Sequence, residues 1–429
     1  MEKKKKTPTI NLSAGLGALK EMIGPRSLLG ALSAMRRNLG YVFRIPLSSF
    51  SPVVLAGPQA SHYALVVARK DLSWRNESDP VTRLLRHGML VTDGEEHDRL
   101  RHQLMPALHK QQVEGYIPKM WQRTEQVIST WQPGQTYDML VEMRRIALLT
   151  VLDSLFEVDA TADLDRLIPV ILEILKFISP GFWLLGAPRR NYEQPVEEMN
   201  AYLESLIHTR REHPTGRDDL LSDMIRAGTE VGLIRDQMLT LLIAGHDTST
   251  ALLAWVLYEI GRHPQVQEAL YQQAQALQAE APPNSEQVAS LDYFHQVIDE
   301  TLRLYPPIHV GNRKAEKDLP ACGYEIPQGE RVMISYYTTH HDEQHWPHPE
   351  KFDPARFAPG EKYAPYTFIP FGGGPRNCLG ANFARVEAAV ILARLLQRYR
   401  FELQNKHVRL HMGATLEPRP GVFMKVVNR

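Results

Sequence analysis

The run FGGGPRNCLG, Phe371–Gly380, constrains the fold more than any other stretch of this chain. Three consecutive glycines strip side chains from the approach to Cys378 and admit backbone conformations that other residues avoid. Apolar residues then recur at three- and four-residue spacing from Ala381 to Arg400, the period of a helix. The cysteine therefore stands at a helix N-terminus, where unpaired N–H groups and the helix dipole favour a thiolate. A phosphate-binding loop would need Gly-Lys-Ser/Thr, and Arg376-Asn377-Cys378 stand there instead. A dinucleotide fingerprint would need glycine at the sixth position from Gly372, which is Asn377. A metal–thiolate site suits every position: the glycines admit a large flat ligand, and Arg376 can pair with an anionic group on it. Standing alone, such a cysteine would be a small buried hydrophobe.

Composition removes several competing classes. Lysine plus arginine and aspartate plus glutamate number 49 each, so charge balance lends no support to nucleic-acid binding. Two distant cysteines, Cys322 and Cys378, do not make a disulfide framework, and a reducing, cytoplasmic setting is expected. Cys322 lies in a predicted hairpin and receives no role. Lys3–Lys6 resemble the start of a signal peptide, but Lys20 and Glu21 interrupt the apolar core it would need, so a solvated tail is expected. No run of 18 apolar residues occurs, and no spanning helix is predicted.

Helical periodicity dominates. It covers Pro118–Gln132, Asp236–Arg262, Pro264–Gln278, Ser290–Leu304 and Ala381–Arg400. Strand-like runs are fewer: YVFRIP and PVVLAG between Tyr41 and Gly57, and RVMISYY after the turn Pro327-Gln328-Gly329. EAPPNSEQ, Glu280–Gln287, reads as a surface loop. From about Pro306 to Pro375 the chain is rich in proline and aromatics and poor in period, a pattern that favours a functional region.

Three further motifs stand with the cysteine loop. ETLR places Glu300 and Arg303 on one helix face, ordinarily a surface ion pair of small worth. AGHDT, Ala244–Thr248, puts two poor helix formers, Gly245 and Thr248, within a long helical run. HDRLR places His97 and Arg101 one turn apart.

The cysteine loop fits FxxGxRxCxG through Phe371, Gly374, Arg376, Cys378 and Gly380. This resembles the haem-binding signature of the cytochrome P450 family, the haem-thiolate monooxygenases, and the other motifs follow in that family's order. The resemblance implies a mainly α fold with a small β lobe, haem b held between the long central helix and the cysteine-loop helix. Residues 30–429 would form one domain without a fused reductase, behind a lead-in of residues 1–29. Cys378 would be the axial ligand of the haem iron, with Phe371, Gly372, Arg376 and Gly380 shaping the loop. Glu300 and Arg303 would join Arg356 of FDPARF in a buried network. Ala244 and Gly245 would lie over the haem, with Asp247 and Thr248 delivering protons to bound dioxygen. His97, Arg101 and Arg313 would bind haem propionates.

The same resemblance draws the substrate site from separated stretches: the segment before Asp93, Leu167–Pro188, Leu241–Thr248, Ile308–Gly311 and Gly413–Leu416. Leu241, Ile308, His309, Val310 and Thr415 are the wall residues expected there. LIPVILEILKFISPGFWLLGAP, Leu167–Pro188, reads as two core helices or as an apolar lid. A hydrophobic substrate such as a fatty acid or terpenoid is expected. Electrons would come from a separate ferredoxin or flavodoxin, steered by Arg99, Arg101, His102, His109 and Lys110 to a monomeric enzyme. A peroxygenase or isomerase on the same fold, or a non-catalytic haem sensor, remains the alternative.

Overall fold

The computed structural model describes residues 5–10, 12–22, 27–45, 51–179, 192–214, 216, 218–278 and 280–429. Helices carry the larger core, and a small β lobe sits beside it. The central helix, Val231–Arg262, runs through the larger core and packs closely on helix Met139–Phe156. It is long and apolar enough to cross a bilayer, but 83% of its apolar window is buried inside the fold.

Helix Met139–Phe156 has no apolar stripe in its sequence, because nearly all of it is buried on every side. Period alone therefore misses it. Asp138 starts it by accepting a hydrogen bond from Leu140 N. A second difference concerns Pro118, read from sequence as a helix start. The helix instead spans Lys110–Ile128 with Pro118 inside it. Proline lacks one N–H there, and burial of Val113, Tyr116 and Ile117 in the preceding turns offsets the loss.

The cysteine-loop helix, Ala381–Arg398, packs on Lys110–Ile128 and on Pro264–Ala274. It ends two residues early, because Tyr399 turns extended and Tyr399–Leu403 pairs antiparallel with Phe423–Asn428. The expected loop Glu280–Gln287 contains the start of a short helix, Ser285–Ala289. Asn284 and Gln287 form a reciprocal capping box there, with hydrogen bonds of 2.8 and 2.9 Å.

The β lobe is a five-stranded sheet in the order Val42–Arg44, Val53–Ala56, Arg331–Ser335, Val310–Ala315, Leu72–Ser73. Val53–Ala56 pairs parallel to Arg331–Ser335 in the register Val53↔Val332, and all four of its residues are buried. A neighbouring hairpin joins Leu319–Ala321 to Tyr324–Ile326. Its turn residues Cys322 and Gly323 have φ of 49° and 87°. Lys5 and Lys6, expected in a free tail, pair beside Tyr324 and Glu325 with their side chains exposed.

Of the apolar stretch Leu167–Pro188, helix Leu164–Ile178 buries Leu167, Val170, Ile171, Ile174, Leu175 and Phe177 in the core. The expected lid beyond it falls on residues 180–191, outside the described residues.

Candidate functional site

The cysteine loop is shaped by its own backbone. Cys378 N donates to Phe371 O at 2.9 Å, and Asn377 N donates to Gly374 O at 3.1 Å. Gly372 and Gly374 adopt φ of 71° and 66°, the left-handed region open to glycine. At Gly374 a side chain would also collide with the carbonyl of Leu65, so the loop lies against the turn Tyr63–Val67. Phe371 is half-buried beneath the Arg385 guanidinium, 4.7 Å from its ring centre.

Burial pushes the Cys378 thiol up, against the smaller pull of Gly380 N–H and Arg101. Desolvation thus outweighs the pull of the helix N-terminus on this thiol. The residue nevertheless has open surface. A side chain both desolvated and open lines a recess in the protein, where a thiolate needs a cation to offset its burial.

The central helix contains a matching window. From Asp236 to Ile260 every residue is buried except Ala244, Gly245 and Thr248. A side chain on Gly245 would press within 3.0 Å of Val151, so glycine there also serves helix packing. Thr248 Oγ1 donates to Ala244 O at 2.6 Å. Asp247 turns the other way. It is 2% exposed; its Oδ1 accepts from Arg144 Nη1 at 2.8 Å and its Oδ2 from Thr415 Oγ1 at 2.8 Å. Arg144 also pairs with Glu417. Thr415, expected in the substrate wall, is buried against Asp247 instead. Neither Arg144 nor Glu417 carries a sequence signal for this contact; only tertiary packing brings them to Asp247. His246 is fully buried, and burial pushes its pKa down to about 4.

The other expected wall residues differ in burial. Ile308 is 40% exposed and Val310 half-buried, whereas His309 between them is 2% exposed. The His309 Nδ1 lies 3.5 Å from Pro307 O, and burial pushes its pKa down to about 4. His309 therefore belongs to the interior rather than to the wall. Leu241 is buried within the core.

A cluster of cations lies around Trp74, a residue without any sequence signal. The Arg313 guanidinium sits 3.3 Å from the Trp74 ring centre and that of Arg376 at 5.0 Å. Arg376 pairs with Asp93 and donates to Thr92 O. Arg313 donates to Asn312 O at 2.6 Å and forms no ion pair among the described residues. Burial pushes Arg313 down to about 10 and lowers Arg376 as well. The buried Arg313 and the partly buried Arg376, with one paired carboxylate between them, leave an excess of positive charge suited to a ligand carboxylate. His97 is buried; its Nδ1 lies 2.9 Å from Asp98 Oδ1, and burial outweighs Asp98 in lowering its pKa. Arg101, expected at a propionate, clasps the cysteine loop: Nη1 and Nη2 each donate to Asn377, to O and Oδ1, at 3.0 Å. The bare thiol, the helix window and the unbalanced guanidiniums together fit a flat, metal-bearing dianion such as haem.

Glu300 and Arg303 are completely buried. Arg303 Nε and Nη2 donate to Glu300 Oε2 and Oε1 at 2.7 and 2.8 Å. Arg303 Nη1 donates to His340 O and Pro349 O, and Asp353 N donates to Glu300 Oε1 at 2.9 Å. Arg356 Nε lies 3.5 Å from Glu300 Oε1, while its Nη2 donates to Pro347 O and His348 O. Burial raises the Glu300 pKa despite both arginines. The network reaches the cysteine loop through His340, whose Nε2 accepts from Ile369 N at 2.9 Å, two residues before Phe371.

Comparison with known proteins agrees with this geometry. The cytochrome P450 family profile matches residues 16–423. A Streptomyces melanosporofaciens protein, cyclooctat-9-en-7-ol 5-monooxygenase, is 28% identical over 411 residues, covering 88% of each chain. The solved structure of retinoic acid bound cyanobacterial CYP120A1 superposes with a TM-score of 0.83 at 24% identity, covering 92% of this chain and 93% of that one. The cytochrome P450DA heme domain superposes at 0.86 with 24% identity, over 99% and 97%. With its cysteine loop, central helix and Glu300–Arg303 pair in one fold, and the family profile spanning nearly its whole length, this chain belongs to the cytochrome P450 family.

Proposed function

We propose that this chain is a haem-thiolate monooxygenase that places one oxygen atom of O2 into an apolar small molecule, with Cys378 ligating the iron of haem b. The observation that carries this reading is Cys378 itself: desolvated yet open, in a loop cleared of side chains. When bound, the haem supplies dioxygen binding and O–O cleavage, which an axial thiolate promotes.

The protein's own groups do the rest. Arg313, Arg376 and His97 hold the ligand carboxylates. Arg101 pins Asn377 and so fixes the loop beside Cys378. The Thr248 hydroxyl, fixed by its hydrogen bond to Ala244 O, passes a proton into the window, and Asp247 behind it carries protons inward. Ala244, Ile308 and Val310 offer apolar surface to a substrate. The relative named for cyclooctat-9-en-7-ol makes terpenoids the first class to test.

The test is the carbon monoxide difference spectrum of the dithionite-reduced protein. A strongly red-shifted Soret band is expected, and a band at the histidine-ligated position would overturn the assignment. Terpenoids and fatty acids are then screened for spin-state shifts.

Thr248→Ala is expected to retain haem and the red-shifted band while diverting reducing equivalents to hydrogen peroxide. Product yield per electron pair should fall steeply, toward the ~10²-fold that a positioned proton donor contributes. Tightly coupled turnover in that variant would remove Thr248 from the mechanism.

Electrons would reach the site from a separate ferredoxin or flavodoxin. Arg99, His102, His109 and Lys110 are exposed, on and just beyond the helix whose Arg101 holds the cysteine loop. Arg99→Glu combined with Lys110→Glu should slow reduction by an acidic partner roughly 10-fold at low salt, an effect that shrinks as salt rises. Stopped-flow reduction at several ionic strengths checks this, and equal rates throughout would place the docking face elsewhere.

A further inference from the structure

The Asp247 carboxylate belongs to a buried chain of alternating charges. Asp247 Oδ1 accepts from Arg144 Nη1 at 2.8 Å. The other side of the same guanidinium pairs with Glu417 Oε1. Glu417 Oε2 accepts from Arg419 Nη2 at 3.0 Å, and the Arg419 side chain is 53% exposed. Asp247, Arg144 and Glu417 are 2%, 3% and 6% exposed, so the chain runs from the surface to the residue beside Thr248. Glu417 cannot drift away from it. The preceding residue, Leu416, is tied at both backbone groups: its O accepts from Trp255 Nε1 at 2.8 Å, and its N donates to Pro307 O at 2.9 Å. Burial disfavours the charge of Arg144, yet the two carboxylates hold its pKa above the ordinary value.

We infer that Glu417 is a positioning residue for proton delivery: by sharing Arg144 with Asp247, it sets how readily the Asp247 carboxylate leaves the guanidinium and turns toward Thr248. This rests on the reading of Asp247 as a proton carrier.

The physical argument concerns what is left behind. A carboxylate held against a guanidinium resists protonation, so a carrier has to loosen that pair first. If Arg144 had Asp247 as its sole partner, loosening would strand a buried positive charge, a costly state. Glu417 keeps Arg144 paired while Asp247 moves. Asp247 then takes a proton from solvent water and hands it to the Thr248 hydroxyl. Thr248 releases its own proton into the window, and Asp247 returns to Arg144 as a carboxylate. The strength with which Glu417 grips Arg144 therefore tunes the step, and Arg419 weakens that grip from outside.

Two variants of opposite expected sign test this in the haem-loaded protein. Glu417→Gln keeps the size and a hydrogen bond to Arg144 but removes the competing charge. Product formation should slow about 10-fold, with a larger solvent deuterium isotope effect and unchanged substrate affinity by spin-state titration. Arg419→Ala, at the surface, frees Glu417 to hold Arg144 more firmly. Product formation should be faster and its isotope effect smaller. The infrared carboxylate band that Asp247→Asn removes should shift in both variants, a readout independent of turnover. If Asp247→Asn slows product formation but neither Glu417→Gln nor Arg419→Ala moves the isotope effect or the band, the role of Glu417 is overturned. If Glu417→Gln does not fold, an unmoved isotope effect and band in Arg419→Ala overturn it alone. If Asp247→Asn changes neither rate nor isotope effect, the reading of Asp247 beneath it falls as well.

Discussion

Arg303→Ala is expected to destabilise the protein by about 3–5 kcal/mol, the cost of breaking a buried ion pair by removing one partner. Arg303 is 0% exposed and donates to both oxygens of Glu300, to His340 O and to Pro349 O. Its loss would leave the Glu300 carboxylate buried with only Arg356 at 3.5 Å and the Asp353 N–H. Two backbone carbonyls would lose their donor at the same time, and unsatisfied buried acceptors are themselves costly. Against a typical total stability of about 5–15 kcal/mol, this is enough to prevent folding or to leave the cysteine loop unformed. Urea unfolding of the variant and of the parent, with haem content measured on the same samples, checks the prediction. Arg303→Lys separates charge from shape. It keeps one positive charge but cannot make the paired hydrogen bonds to Glu300, so it should lie between the two. A midpoint in Arg303→Ala within 0.5 M urea of the parent would show that the network is not the anchor its geometry describes.

Cys378→Ala is expected to abolish the red-shifted carbon monoxide band and all product formation while leaving the fold intact. The Cys378 side chain has open surface, and the loop is held by its backbone and by Arg101 on Asn377. Thermal unfolding should therefore move little in the haem-free protein. Haem affinity should fall by more than the ~10–100-fold typical of losing an outer-shell partner of a metal site, because the ligand itself is gone. Retention of the red-shifted band would assign the thiolate to another residue. Cys322, the other cysteine, sits in the hairpin turn of the β lobe.

Where sequence and structure part company, the reasons are specific. Helix Met139–Phe156 shows no clear apolar stripe because it is buried on nearly every side, its Arg144 included. Pro118 misleads because proline favours helix starts, whereas here burial of the turn before it wins. His309 and Thr415 sit in stretches read as pocket wall, but sequence position alone does not say which side chain of a loop faces inward. Their neighbours Ile308 and Ala414 retain open surface while these two are buried. Arg101 was expected at a haem propionate, and its contact with Asn377 of the cysteine loop had no signal in the sequence.

The motifs that are local in the chain were legible from it. Cys378 and its glycines, the i,i+3 pair Glu300–Arg303 and the run Ala244–Thr248 each need only a few consecutive residues to be recognised, because backbone conformation and helix period bring their members together. Which way Asp247 faces follows from packing against Arg144 and Thr415. The same packing sets Arg144 between Asp247 and Glu417 and brings Trp74 against both Arg313 and Arg376. Those contacts join residues 103 to 302 positions apart, Arg144 to Asp247 and Trp74 to Arg376 at the two extremes. At that separation no spacing rule applies, and packing and the need to pair buried charge select the partner.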